Sequence, residues 1–217
     1  SYLALVRILR EYCPEATLLG LTATASQAVL EDLKAEFEVD GEAVKALTNM
    51  DRPELIFHRA NVDTEVDKLS KIYSIIKENH KPYVNKDENT HESIGLVFCP
   101  TVGGKVTGCN DVIKSVRNQN EHDEQMALRL AAYHGKLTNI ERAEIQNHFM
   151  RNEYDVLMCT KAFGMGIDQP NIKFTIHDSM PQSIESFYQE AGRAGRDKDK
   201  SVDSHCYILF CPEKDNK

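Results

Sequence analysis

The segment Gln189-Glu190-Ala191-Gly192-Arg193-Ala194-Gly195-Arg196-Asp197 sets two arginines three residues apart among small neighbours. In a helical or turn conformation both can point the same way, and paired planar guanidiniums suit the oxygens of a polyphosphate. Read in isolation, the same residues also fit a solvated basic patch. A second segment, Lys161-Ala162-Phe163-Gly164-Met165-Gly166-Ile167-Asp168, offers two glycines that let the backbone approach a ligand. Its Asp168 offers a carboxylate to a hydroxyl, although by itself the segment reads first as a structural turn. In a third, Pro100-Thr101-Val102-Gly103-Gly104, a hydroxyl and freed amides could hold a backbone phosphate, and a plain glycine turn fits equally well.

A phosphate-gripping loop is missing from this set. Gly104-Lys105 and Gly135-Lys136 are followed by Val106 and Leu137 where Ser or Thr would be needed, and neither has the earlier glycine of the Walker A pattern. No apolar strand ends in the acidic pair of a Walker B motif, so the sequence lacks the parts that hold Mg²⁺ and the β- and γ-phosphates.

These segments follow apolar runs, and in a doubly wound sheet ligands gather at the carboxyl ends of the strands. Helix and strand patterns alternate: helix 63–77, strand 94–99, a helix near 110–117, strand 127–134, helix 138–150, strands 155–160 and 172–177, helix 183–191 and strand 204–210. This order implies crossovers around a parallel sheet. Thr138-Asn139-Ile140-Glu141 is a capping box opening its helix. Polar stretches 80–93 and 118–125 read as loops.

Upstream, Leu5, Ile8 and Leu9 have helical spacing from the outset, as in a fragment that starts inside a helix. Residues 17–22 (TLLGLT) suit a buried strand, and Ser26 can cap a helix with the apolar face Val29, Leu30, Leu33 and Phe37. Residues 41–53 read as a linker and 54–60 as a half-exposed strand, which places a domain boundary near Pro53 between regions 1–53 and 54–217.

The 217 residues, 41% of them hydrophobic, can bury one large core or two small ones. A net charge of −8 argues against a broad basic face, so contact with nucleic acid must be local, through amides, hydroxyls and a few cations. The six cysteines include no C-x-x-C pair and read as reduced core residues, with no zinc site expected. No apolar run reaches the roughly 18 residues of a membrane span and no signal peptide opens the chain, so a soluble intracellular protein is expected.

In this order the motifs resemble those of the RecQ family of superfamily-two DNA helicases. Leu21-Thr22-Ala23-Thr24-Ala25 is similar to the family's motif III and Phe98-Cys99-Pro100-Thr101 to motif IV. Tyr133-His134-Gly135 resembles the Tyr-His signature, residues 162–170 (AFGMGIDQP) motif V, and residues 184–197 (IESFYQEAGRAGRD) motif VI. RNA helicases of the DEAD-box kind carry His-Arg where Gln189-Glu190 stand, which favours the DNA-unwinding branch. Gly135-Lys136 departs from the family's Ala-Gly, and Thr101 from its more frequent Ser.

The resemblance implies an α/β fold, a RecA-like parallel sheet flanked by helices, acting as the second motor lobe of a 3′-5′ helicase in DNA repair and recombination. Residues 1–53 would then be the tail of the first lobe and a linker. By the same resemblance Arg193 and Arg196 are arginine fingers, Gln189 a supporting donor, and Asp168 the partner of the ribose hydroxyl, with Gly166 and Gly192 against the nucleotide. Thr101, His134 and Thr160 would hold single-stranded DNA, while Thr22 and Thr24 couple the two activities. ATP and Mg²⁺ would be held mainly by the first lobe of the parent chain, and DNA strands or junctions would be the partner. The compartment would be the bacterial cytoplasm at the nucleoid, or the nucleus in a eukaryote. A regulatory or interaction module with a RecA-like fold but no motor activity is the rival, as is a small-molecule phosphotransferase.

Overall fold

The computed structural model describes residues 2–17, 19–21, 27–39, 41–45, 51–81, 93–103, 107–123, 127–163, 168–197 and 203–212. The chain divides into two compact units, Ser1–Asp51 and Arg52–Lys217. The first holds helices α1 (Tyr2–Tyr12) and α2 (Gln27–Phe37) and a short 3-10 turn, Gly41–Ala43. Val6 is buried, Leu30, Leu33 and Phe37 are half-buried, and Ile8 and Val29 face out.

The strand expected at 17–22 does not form at its described positions. Leu19 and Leu21 are 82% and 87% exposed in irregular backbone. A parallel strand needs a neighbour for its amides and carbonyls, and among its described residues this unit contains no strand. Leu18, Thr22, Thr24 and the capping residue Ser26 lie outside the described residues.

The second unit is built on one six-stranded sheet: β1 (Leu55–Asn61), β2 (Ile94–Phe98), β3 (Leu130–Tyr133), β4 (Val156–Cys159), β5 (Ile172–His177) and β6 (Ser204–Phe210). The spatial order is β1-β6-β5-β2-β4-β3 and every neighbouring pair is parallel. Helices α3 (Glu65–Asn79), α4 (Cys109–Glu121), α5 (Asn139–Met150) and α6 (Ile184–Ala191) connect them. Because β2 and β4 are buried on both faces, they read as continuous apolar runs, the pattern of a central parallel strand.

Each face of the sheet carries its own core. Leu96, Leu157, Phe149, Phe163 and Ala191 pack on one side. Val97, Met158, Ile72, Ile76, Val112, Val116 and Leu209 pack on the other. Each fully buried Leu, Ile, Val, Phe or Met contributes roughly 1.5 to 3 kcal/mol. Gly95 in β2 faces Phe174 of β5, whose ring carbons occupy the space a Cβ would take, at 2.0 to 2.6 Å.

Helix starts follow local chemistry. Thr138 accepts from the Glu141 amide while the Glu141 carboxylate accepts from the Thr138 amide, as the sequence predicts. Thr64 and Asp67 make the same exchange at α3. Strand β3 is shorter than the expected 127–134, because Arg129 turns aside to clamp Asp155 with its backbone amide at 2.7 Å and its guanidinium at 2.6 and 3.0 Å.

The expected loop at 118–125 is a helix up to Glu121, since a last solvated turn propagates α4 without apolar residues. At the other polar stretch, Lys81 and Ser93 form an antiparallel bridge and His80 Nδ1 donates to the Ser93 carbonyl at 2.9 Å, while 82–92 lie outside the described residues. Cys99, Cys109, Cys159, Cys206 and Cys211 are buried free thiols, and burial pushes Cys206 up to about 11. Cys13 is exposed, contrary to its expected place in a core.

Candidate functional site

All six strands point the same way, so the turns after β2, β4 and β3 share the carboxyl end of the sheet, while the arginine segment, whose Gly195 N donates to Ile172 O, lies by the amino ends of β5 and β1. The ends of β2, β4 and β3 are adjacent, with neighbouring strands about 4.8 Å apart. Cys99 N donates to Cys159 O at 2.8 Å and Thr160 N to Tyr133 O at 3.2 Å, which continues the pairing past the strand ends. Thr101, Thr160 and His134 therefore follow three consecutive strands.

Thr101 is exposed, in a turn fastened to the start of α4: Cys109 N donates to Thr101 O at 3.0 Å and Asn110 N to Val102 O at 2.9 Å. Only a glycine at position 108 permits this, because a Cβ there would lie 2.7 Å from both Thr101 O and Oγ1. The half-buried Thr160 accepts from the Ala162 amide through Oγ1 at 3.3 Å. His134 is buried, and its Nδ1 has no hydrogen-bond partner. Gly104, Lys105, Gly164 and Gly166 lie outside the described residues.

The arginine segment lies just past α6. Ser183 caps the helix through Ser186 N at 3.1 Å, and Gly192 N closes it on Tyr188 O at 2.8 Å. Ala194 N returns to Ala191 O at 3.0 Å, and Gly195 takes φ +67°, a left-handed conformation that favours glycine. A Cβ on Gly195 would stand 2.9 Å from Glu54 Cγ and from Leu55 Cδ2, so a side chain is excluded twice over.

This turn separates the two arginines in environment. The Arg193 guanidinium lies over the Phe163 ring, 5.8 Å from its centroid. Phe163 is 1% exposed and meets Tyr133 and Phe149 edge-on, so Arg193 rests on an aromatic floor. Burial, helped by the charge of Arg196, holds the Arg193 guanidinium below its ordinary value, and its Nε is buried with no hydrogen-bond partner. Arg196 is exposed, donating from Nε to Gly192 O at 3.1 Å and from Nη1 to Asp168 Oδ1 at 3.2 Å. The glycine-rich segment thus meets the arginine segment twice, through Phe163 and through Asp168. Gln189 is exposed on α6.

Three further groups packed near these segments have no signal in local spacing. His177, 1% exposed, lies flat against Phe98 with 5.0 Å between centroids, and its Nδ1 stands 3.1 Å from Glu190 Oε2. Lys68, 3% exposed, places its ammonium 3.6 Å from Asp178 and 3.3 Å from Glu65. Arg52 reaches across from the start of the second unit to the carbonyls of Ala194 and Gly195 at 3.1 and 2.9 Å. Among the described residues no group of three or more His, Cys, Asp or Glu is placed to hold a metal ion, and no helix is long and apolar enough to cross a membrane.

Comparison with known proteins identifies the family. A probable ATP-dependent DNA helicase RecS of Bacillus subtilis is 32% identical over 194 residues, 89% of this chain and 34% of the relative. The ATP-dependent DNA helicase RecQ of the same organism is 32% identical over 216 residues, 98% of this chain and 31% of the relative. The chain thus spans about a third of the length of these curated relatives. Among solved structures, S. cerevisiae Dbp5 bound to RNA and ADP BeF3 matches with a TM-score of 0.70 at 18% identity, covering 95% of this chain and 48% of that one. At that identity the match speaks for the fold alone, a RecA-like parallel sheet flanked by helices. The model of the helicase conserved C-terminal domain matches residues 67–198, across both the glycine-rich and arginine segments. This chain belongs to the helicase conserved C-terminal domain family, and its relatives in sequence are DNA helicases of the RecQ type.

Proposed function

We propose that the chain is the second motor lobe of an ATP-dependent 3′-5′ DNA helicase of RecQ type, active in DNA repair and recombination. The observation that carries this reading is the meeting of the arginine and glycine-rich segments, Arg196 on Asp168 and Arg193 over Phe163, which brings two cations and a carboxylate together. Two guanidiniums with a nearby carboxylate fit a nucleotide, the arginines facing its phosphates and Asp168 its ribose hydroxyl. ATP and Mg²⁺ would be held mainly by a first lobe of the same parent chain, of which residues 1–53 form the tail. In this arrangement Arg193 and Arg196 stabilise charge as the γ-phosphoryl leaves, Gln189 supports them as a donor, and the small Gly192 lets the backbone come close.

Arg193 has an Nε free to donate, and the Phe163 ring limits its swing. Arg196 exchanges its contact with Asp168 for a phosphate oxygen when nucleotide enters, which frees the carboxylate for the ribose. Thr101, Thr160 and His134, on three successive strand ends, hold the phosphates of single-stranded DNA. Gln189-Glu190, where DEAD-box RNA helicases carry His-Arg, supports DNA as the strand moved.

The test is DNA-stimulated ATPase and single-strand binding in the full-length protein for Arg193→Ala, Arg193→Lys and Arg196→Ala. Turnover is expected to fall on the order of 10³-fold or more while ATP binding changes little. Lysine at position 193 fails as alanine does, because a point charge cannot replace the planar fork. Near-normal turnover in all three folded variants rejects the assignment.

A further inference from the structure

We propose that Arg52 is the positioning residue for the arginine turn, holding Arg193 and Arg196 in working geometry through the two carbonyls that lie between them. The inference rests on the reading of that turn as nucleotide-facing. Ala194 and Gly195 are the only residues separating the two arginines. One terminal nitrogen of Arg52 donates to both of their carbonyls, at 3.1 and 2.9 Å. Its Nε is held by Glu54, a carboxylate 7% exposed, so the guanidinium plane is fixed by a buried anion. Ala194 is fully buried and Gly195 N donates to Ile172 O at 3.3 Å, which anchors the turn to the sheet on its other side.

Two peptide planes, those following Ala194 and Gly195, thus have their carbonyls tied to one cation. Those planes set the direction in which the chain leaves Ala194 and enters Arg196, and so the separation and relative aim of the two arginines. Arg52 lies 142 residues before Ala194 and is the first residue of the second unit, inside the stretch 41–53 that reads as a linker. A group that contacts the turn only through its main chain acts on the geometry of the arginines without touching nucleotide. Lysine cannot stand in, since the arrangement uses two nitrogens of one planar fork on three acceptors.

The experiment is a double-mutant cycle in the full-length protein, measuring DNA-stimulated kcat, ATP KM and melting temperature for Arg52→Ala, Arg196→Ala and the double variant, with Arg52→Lys as a conservative partner. A displacement of about 1 Å in a catalytic group costs on the order of 100-fold, so Arg52→Ala is expected to lose between about 10- and 100-fold in kcat. ATP KM should stay within about threefold, and adding Arg52→Ala to Arg196→Ala should slow the enzyme by less than it slows the parent, because only Arg193 is then left to misaim. Arg52→Lys should be as slow as Arg52→Ala, and it decides the matter should alanine prevent folding. Normal kcat in folded Arg52→Ala or in Arg52→Lys, or a double variant slowed by the product of both single effects, overturns the proposal. If Arg193→Ala and Arg196→Ala are themselves normal, the nucleotide-facing reading fails and this one with it. If they are slow and the Arg52 variants are normal, only the positioning role fails.

Discussion

Replacing Gly195 with alanine should unsettle the arginine turn by an amount that follows from its surroundings. The residue has φ +67°, and a non-glycine residue in the left-handed region costs about 1 to 2 kcal/mol. The added Cβ would lie 2.9 Å from Glu54 Cγ and Leu55 Cδ2 and 3.2 Å from an Arg52 nitrogen. Leu55 is buried and cannot swing away, so crowding adds roughly 1 to 3 kcal/mol. The sum is roughly 2 to 5 kcal/mol, which for a unit of this size corresponds to a melting temperature lower by about 5 to 15 °C. Urea denaturation followed by far-UV circular dichroism reads it as a lower midpoint at unchanged slope. Gly195→Asn separates the two causes: asparagine tolerates the left-handed conformation yet still carries a Cβ, so most of the crowding cost should remain. Gly135→Ala is the control, because its Cβ would meet only Ala162 Cβ at an ordinary 3.9 Å, and it should stay within about 0.5 kcal/mol of the parent. A Gly195→Ala protein as stable as this control would refute the reasoning.

Two further outcomes follow from buried charge and from titration. Lys68→Met removes the cation facing Asp178, which is 1% exposed, and should cost about 3 to 5 kcal/mol in urea denaturation, with Lys68→Met/Asp178→Leu recovering much of it; a single-variant cost below about 1 kcal/mol would contradict the pair's importance. Burial, and then the neighbouring His205, lower the pKa of His58, so the unfolded chain binds a proton more readily and stability contributed at neutral pH is lost as pH falls through the ordinary histidine value. Denaturation midpoints measured across that range should flatten in His58→Asn, and an unchanged slope would show that this histidine does not matter.

The sequence is most legible where one local cause is enough. Ile172–His177 and Ser204–Phe210 stand where their apolar patterns put them, and Thr138 with Glu141 marks the start of α5 to the residue. At 17–22 an apolar run could be read as a strand, but nothing in a run encodes its neighbours, and Leu19 and Leu21 are exposed. The end of α4 was hidden because a final helical turn facing solvent requires no apolar residue. At the candidate site, spacing pointed to Arg193, Arg196 and Asp168, and the structure brings Arg196 and Asp168 within hydrogen-bond reach. Arg52 was invisible for a different reason. Its partners are main-chain carbonyls, which every residue has, so only the folded backbone reveals them.

The pairing of β1 with β6 also governs the order of events as the chain emerges from the ribosome. His58 and its cross-strand neighbour His205 are 147 residues apart, and every partner of β1 lies in β6. At about 5 to 20 residues per second, roughly 7 to 30 seconds of synthesis separate the two strands. Throughout that interval β1 presents an open edge with Phe57 beside it, while Arg52 waits for a turn that does not yet exist. The β2-β4-β3 half can assemble from neighbours in sequence, whereas the arginine turn and the outer edge close together, last. Nascent chains arrested before β6 should therefore be the form of this protein that most needs a chaperone.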